Sequence, residues 1–214
     1  MWLSKLTVKK LFMGVDTGGR ATQVTATADE LNILDGATLT VAELNALDNS
    51  VNGALMAAGS GLSSAGAIKY GISRAGNIIT TKIFIDLDGL HGGDTAADII
   101  GNDGGAANCH FGQITAAING TIYAGWIDTG EAIAGGDPDI NLYAATESTG
   151  AQDAAVTGLT ETQLCDSGDL AIGSRVFLTA FPAANQYLYM ANGVATDAEY
   201  TAGMIIITLV GIAS

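Results

Sequence analysis

The sequence predicts a mainly β protein, in which an antiparallel β-sandwich follows an N-terminal arm with two short helices. Glycine accounts for 29 of the 214 residues and charged residues for only 14%, which suits short strands joined by tight turns. Runs rich in Ile, Val, Tyr, Phe and Thr recur after residue 66 without helical periodicity. A nine-residue phrase with helix-start signals occurs twice before residue 50.

The repeated phrase lies at 27–35 (TADELNILD) and again at 40–48 (TVAELNALD). Each copy begins with Thr and has Glu three residues later, which is the reciprocal capping box of a first helical turn. Leucines three residues apart give each copy one apolar face. Because Asp35-Gly36 and Asp48-Asn49 supply stop signals, each predicted helix is about two turns long.

Such short helices need a partner surface, since isolated helices of fewer than about 12 residues rarely persist in water. The Thr-x-x-Glu-Leu-Asn-x-Leu-Asp phrase resembles segments of bacteriophage virion proteins, particularly tail fibres and head-decoration proteins, in which such units recur in tandem. This chain has two copies, within roughly residues 25–49. The resemblance implies a virion structural protein. The alternative is a pair of ordinary capped helices that pack on their own domain.

Composition predicts three parts, with boundaries at 1–52, 53–66 and 67–214. The first part is the arm that carries the repeats. The second is rich in Gly, Ala and Ser and predicts a linker with little to pack. The third is the β-sandwich domain, because one core of about 150 residues with an extension fits this length better than two full domains.

Eight runs in the third part predict strands. The last run is apolar on both faces, so we expect it to be central in its sheet or buried in an oligomer contact. Long connections around 92–108 and 150–168 favour a two-sheet jelly roll over a simple meander. The final run also resembles the end of jelly-roll decoration domains from phage heads. The predicted strands are 67–73, 78–87, 110–115, 121–127, 139–144, 174–180, 187–190 and 204–210.

Charge is distributed unevenly along the chain, whose formal net charge is −14. From residue 83 onward there are sixteen Asp or Glu and one basic residue, Arg175. A nucleic-acid partner is not expected, because so acidic a surface repels phosphates. Half of all Lys and Arg lie within the first twenty residues, at Lys5, Lys9, Lys10 and Arg20. We therefore expect the arm to dock on a negatively charged surface. The alternative is a soluble body with a loose leader.

Neither end of the chain predicts membrane targeting. The first residues lack the unbroken apolar stretch of a signal peptide, so we expect them to be retained. The longest apolar run, 204–212, is far shorter than the about 20 residues that a spanning helix needs. Trp2 and Phe12 lie beside three lysines, which predicts an arm that lies on a partner surface or pairs as an edge strand.

The sequence gives little support for an arrangement of catalytic or metal-binding residues. His91 and His110 have no spaced partners, and no Gly-x-Ser-x-Gly elbow is present. Cys109 and Cys165 could form a zinc set only with both histidines, at poor spacing. Free buried thiols are the preferred interpretation, and a disulfide is left open. No enzyme, cofactor or metal is therefore predicted, and the Gly-rich stretches do not match phosphate-binding loops.

Three Asp-containing loops, at 86–89, 94–98 and 135–139, are the remaining candidates for calcium binding. None matches the EF-hand loop, so solvated turns are the preferred explanation. A carbohydrate-binding surface would need exposed aromatic platforms, and aromatic residues make up only 6% of the chain. Tyr123 and Trp126 lie three apart on one predicted strand, which predicts opposite faces and core packing.

These observations predict a non-enzymatic phage structural protein, a capsid decoration or cement protein made in the bacterial host cytoplasm and displayed on the virion head. Its expected partners are two further copies in a homotrimer and the major capsid protein or other virion proteins. A threefold bundle or capsid groove would bury leucines that have little chain around them. The alternative function is a tail-fibre or receptor-binding protein. The predicted assembly interface comprises Leu31, Leu34, Leu44, Leu47, Trp2 and Phe12.

Overall fold

A computed structural model describes residues 56–62 and 68–213 with their side chains, and the backbone of 12–15 and 21–23. The chain divides into two compact units, Met1–Leu44 and Asn45–Ser214. In the first unit, β1 (Phe12–Val15) pairs antiparallel with β2 (Ala21–Gln23). Phe12 therefore begins a strand. The predicted helices lie outside the described residues, as do Trp2, Leu31, Leu34, Leu44 and Leu47.

The second unit is mainly β. Its single α-helix in the described residues, α1 (Ala116–Asn119), has Thr115 as N-cap, and 3-10 turns occur at Ser60–Leu62 and Val156–Gly158. No described helix has the length and apolar character needed to cross a membrane. The strands are β3 (Ile68–Ala75), β4 (Ile78–Asp86), β5 (Thr121–Ala134), β6 (Ile140–Ala145), β7 (Glu161–Cys165), β8 (Arg175–Phe177), β9 (Tyr187–Asn192) and β10 (Ala202–Ile212).

These strands form two antiparallel sheets with a shared core. The five-stranded sheet has the order β3-β4-β10-β5-β8, and the three-stranded sheet has the order β7-β6-β9. Burial alternates along β4, as expected for a strand with one face in the core. The two sheets contribute to one hydrophobic cluster, which includes Ile83, Ile127 and Ile207 from the first sheet and Leu142 and Tyr189 from the second. The prediction of a mainly β, sandwich-like architecture is confirmed.

β10 is the central strand of its sheet, as its apolar sequence predicted. It pairs with β4 on one side and β5 on the other. Ile205, Ile207 and Leu209 are almost completely buried, whereas Ile206 and Val210, which point the other way, are half-buried. A strand hydrogen-bonded on both edges and apolar on both faces needs no polar alternation.

The prediction of strands fails in two places within the described residues. The run 110–115 is not a strand: it hydrogen-bonds alongside β9, but the φ of +142° at Gly112 interrupts a regular ladder. β7 lies within the predicted long loop at 150–168. Its first three residues are polar and largely exposed, so this edge strand carries little of the apolar pattern that would identify it.

Part of the predicted linker is packed rather than loose. Met56 and Leu62 are buried in the core, with 5% and 1% of their surface exposed. The turn between them approaches the loop before α1 so closely that a Cβ on Gly61 would lie 2.4 Å from the Cys109 Sγ. Small residues here therefore permit close contact rather than mark a spacer.

Candidate functional site

Three carboxylates converge at one place on the second unit. Asp94 and Asp98 lie in the loop that follows β4, and Asp153 lies in the loop that follows β6. One carboxylate oxygen of each residue lies within 4.8 Å of the others. Two of the three belong to the predicted Asp-rich loop 94–98, whereas no local motif marks Asp153.

The loop backbone explains how these carboxylates are held. The amide of Thr95 donates to Asp98 Oδ2 at 2.9 Å, and the amide of Asp94 donates to Asp153 Oδ1 at 2.9 Å. A Cβ on Gly93 would lie 2.3 Å from the Asp98 Cβ, so only glycine permits this approach. The carboxylates of Asp98 and Asp153 thus cap loop amides, and the Asp94 carboxylate accepts from the Thr95 hydroxyl at 3.0 Å.

Electrostatics in this cluster disfavours the charged form of Asp98. Its side chain is buried, with 3% of its surface exposed. Burial is the main cause that raises its pKa, and the nearby Asp153 and Asp94 raise it further, while the hydrogen bond from Thr95 lowers it. A calcium ion would relieve this repulsion, but it needs six to eight oxygen ligands. Three carboxylates engaged with loop donors supply only part of such a set.

The other two Asp-rich loops form turns. Asp86 accepts a hydrogen bond from the Asp88 amide at 3.1 Å. Asp137 accepts from the Asp139 amide at 3.1 Å and from the Val194 amide at 2.8 Å. In the described part of the chain, the cluster of Asp94, Asp98 and Asp153 is the one group of three metal-ligating side chains with such close ligand atoms.

The two cysteines are separate buried thiols. Cys109 Sγ donates to the Ala106 carbonyl at 3.0 Å and lies 3.5 Å from the Gly61 carbonyl. Burial raises the pKa of Cys109 and of Cys165 to about 11, which keeps both protonated and unreactive at neutral pH. The interpretation as free buried thiols agrees with this geometry.

The histidines also lie in different surroundings. His91 Nδ1 is 3.3 Å from a carboxylate oxygen of the exposed Asp197. The His110 ring packs against Tyr187 with a centroid separation of 4.7 Å, and its Nδ1 is buried without a hydrogen-bond partner. The structure therefore does not bring the considered zinc set of two thiols and two imidazoles together.

A second candidate site lies on the outer face of the five-stranded sheet, defined as its strand residues that point away from the core. Register pairs Trp126 with Phe177 and Asp128 with Arg175 across β5 and β8. On the other side of β5, Thr208 of β10 lies opposite Trp126. We call Trp126, Asp128, Arg175 and Phe177 the Trp126 cluster.

Direct contacts order the Trp126 cluster. Arg175 Nη2 and Trp126 Nε1 each donate to Asp128 Oδ2 at 2.9 Å. The guanidinium lies 4.9 Å from the centroid of the Trp126 ring, a cation–π distance. Trp126 and Phe177 meet edge to face with centroids 6.3 Å apart. The hydrogen bond from Arg175 is the main cause that lowers the pKa of Asp128, so this carboxylate stays ionised.

The prediction that Tyr123 and Trp126 pack in the core is wrong. Tyr123 is 45% exposed, and Trp126 is half-buried outside the hydrophobic cluster. The opposite-face argument also fails, because the register between β5 and β10 shifts next to Tyr123. Ile122 and Gly125 are both buried, and the two residues between them are each more exposed than either. Simple alternation therefore does not hold across this irregularity.

Comparisons with profiles of protein families, with curated proteins and with solved structures found no match.

Proposed function

We propose that this chain is a non-enzymatic virion structural protein, a capsid decoration or cement protein that displays an acidic β-sandwich on the head of a bacteriophage. The tandem phrase at 27–35 and 40–48, with its two capping boxes and paired leucines, carries the proposal. Its resemblance to segments of phage tail fibres and head-decoration proteins gives the virion setting. The mainly β body supports a display role.

Charge separation along the chain supports attachment through one end. Residues 56–213 contain sixteen Asp or Glu and four Lys or Arg, a formal net charge of −12. The first twenty residues contain four Lys or Arg and one Asp. A cationic arm favours a negative docking surface, while the body carries most of the acidic residues of the chain.

The chemistry of the described residues also supports a structural role. Both thiols are buried with raised pKa values. Burial lowers the pKa of His110, and its ring packs against Tyr187 rather than against a nucleophile. Groups of this kind lack the exposed, activated state that nucleophilic catalysis requires.

The same proposal includes the finer features of the architecture. The arm forms two short helices, the two sheets are related as in a jelly roll, and the chain assembles as a homotrimer on the major capsid protein. Burying one leucine contributes about 1.5–3 kcal/mol. Leu31, Leu34, Leu44 and Leu47 together therefore supply enough free energy to anchor the arm.

The test is the native mass of the full chain, measured by light scattering at several concentrations. We expect a stable trimer for the unchanged chain and a smaller species for Leu31→Asp/Leu44→Asp. The matched control Ala28→Asp/Ala42→Asp adds the same charge within the same two repeats and should remain trimeric. A monomeric unchanged chain, or a double leucine variant with unchanged mass, contradicts the trimer proposal.

A tail-fibre or receptor-binding role is the second candidate, because the repeated phrase resembles segments from both kinds of protein. Copy number per particle separates the two. A decoration protein should occupy the whole head lattice, whereas a fibre protein should be present in few copies at the tail. Electron microscopy of particles bound by an antibody against residues 68–213 distinguishes these distributions.

A further inference from the structure

We propose that the outer face of the five-stranded sheet binds a second copy of this chain, with one sheet packed against the other. This contact involves the body and is independent of the arm proposed above as the anchor. Four observations carry it: the apolar surface of the central strand, the local charge, the size of the face and the order of the Trp126 cluster.

The central strand presents no charged residue on the outer face. The outward positions of β10 are Met204, Ile206, Thr208, Val210 and Ile212, of which Met204 and Ile212 are 36% and 45% exposed. Antiparallel sheets that face water ordinarily place polar residues at such positions. Four of these five side chains are apolar, and the polar Thr208 between them is 1% exposed. This apolar strip at the middle of an exposed sheet indicates an interface.

The flanking strands extend this apolar surface. Ile78 on β4 is 39% exposed and Phe177 on β8 is 65% exposed. Phe84 on β4 lies opposite Ile206 and is half-buried. None of these three side chains belongs to the hydrophobic core or packs against it, so their burial comes from neighbours on the outer face itself.

Charge distinguishes the outer face from the rest of the body. Residues 56–213 contain four basic side chains, of which three lie on this face. They are balanced by three acidic ones, while the body as a whole is strongly acidic. Two copies repel each other through their acidic surfaces but can approach without net repulsion here, which favours a second copy over a highly charged partner. The six residues are Lys69, Lys82, Arg175, Asp86, Asp128 and Glu131.

The face is large enough for a stable contact. Four strands of eight or more residues, each at least about 27 Å long, and the three-residue β8 lie about 4.8 Å apart and give a surface of about 600 Å² on each copy. The total of about 1,200 Å² is at the lower end of the range for specific protein interfaces. Packing at the about 10 Å separation of stacked sheets would remove the apolar strip from water.

The Trp126 cluster provides an ordered anchor for this contact. Tryptophan and arginine are the residue types that most often dominate binding energies. Because Asp128 and the Trp126 ring already hold Arg175, binding freezes little additional side-chain motion. The guanidinium covers one face of the indole, which argues against a sugar stacked on that face.

The experiment uses the full chain with Leu31→Asp/Leu44→Asp, so that contacts through the arm do not contribute. Sedimentation equilibrium should show a reversible dimer in this background. Adding Ile78→Lys/Phe177→Lys should raise the dissociation constant at least tenfold. The matched control Ile172→Lys/Val194→Lys adds the same charge at exposed apolar residues outside the five-stranded sheet, which are 65% and 54% exposed, and should leave the dissociation constant within twofold.

Two results would overturn the proposal: a background chain that is monomeric at all concentrations, or equal dissociation constants for the test and control variants. A circular dichroism melt of every variant checks folding. Should Ile78→Lys/Phe177→Lys melt early, Ile212→Lys replaces it with the same expected loss of dimer. The trimer proposal is tested separately, on the chain with intact leucines. A negative result for the sheet contact therefore leaves the test of the trimer contact unaffected.

Discussion

Asp98 is a carboxylate that folding places in an unfavourable setting. Its pKa is raised, chiefly by burial and further by Asp153 and Asp94. A raised pKa means that the folded state binds the proton more tightly than the unfolded state does. The contribution to stability is therefore fully present below the ordinary pKa of 3.8, and it is lost as the pH rises through the raised value.

We therefore predict that Asp98→Asn raises the melting temperature at pH 7, with a smaller difference from the unchanged chain near pH 4. The amide oxygen of Asn can still accept from Thr95, whose amide donates at 2.9 Å. Thermal unfolding at both pH values measures the effect. Asp88→Asn is the control, because Asp88 is exposed and lies outside the acidic cluster. A lower melting temperature for Asp98→Asn at pH 7 would show that its charge stabilises the loop.

For His110 we expect a pH dependence of stability that is opposite in sign to that of Asp98. Burial lowers its pKa from 6.5, so the unfolded chain takes up a proton first as the pH falls. The contribution to stability is present above pH 6.5 and is lost as the pH falls through the lower folded value. His110→Phe keeps a ring beside Tyr187 and removes this titration. Urea unfolding at about pH 7.5 and about pH 5 should show a smaller loss of stability for the variant; equal losses would contradict the assignment.

At the scale of elements, β10 depends on close approach of α1 to its end. A Cβ on Gly211 would lie 2.0 Å from the Asn119 carbonyl oxygen, whereas nothing lies within 4 Å of the equivalent position on Gly71 in β3. We predict that Gly211→Ala lowers the free energy of unfolding by about 1–3 kcal/mol. The control Gly71→Ala should be neutral or slightly stabilising. Urea unfolding of the two variants tests this prediction. Equal free energies of unfolding for Gly211→Ala and Gly71→Ala would mean that the end of α1 moves at little cost.

Elements were predictable from sequence where burial leaves a pattern in consecutive residues. The central place of β10 follows from its apolar residues on both faces, and β4 alternates as a half-buried strand should. β7 was missed because its polar residues at the sheet edge leave no such pattern. The run 110–115 has strand-like composition, but the backbone at Gly112 breaks the pairing.

Sites were less predictable than elements because their residues meet only through the tertiary fold. Asp94 and Asp98 share one loop, and this much of the acidic cluster is visible in the sequence. Asp153 joins them from a distant loop. In the same way, Arg175 and Phe177 reach Trp126 by the pairing of β8 with β5, which no local motif of either strand encodes.

At the scale of the whole molecule, the excess of carboxylates makes stability depend on salt. Residues 56–213 carry a formal net charge of −12, and self-repulsion of that size opposes the compact state. Screening within about 10 Å at about 0.1 M salt weakens this repulsion. We predict that the melting temperature rises as NaCl increases from about 10 mM to about 500 mM.

The same titration with CaCl₂ at matched ionic strength separates screening from binding at the acidic cluster. Because Asp94, Asp98 and Asp153 already accept loop hydrogen bonds, we expect the NaCl and CaCl₂ curves to coincide, and chelation to leave the melting temperature unchanged. Specific binding would add stability that grows with free calcium. Such a rise with CaCl₂ alone, abolished by Asp153→Asn, would reassign the cluster from loop capping to a calcium site.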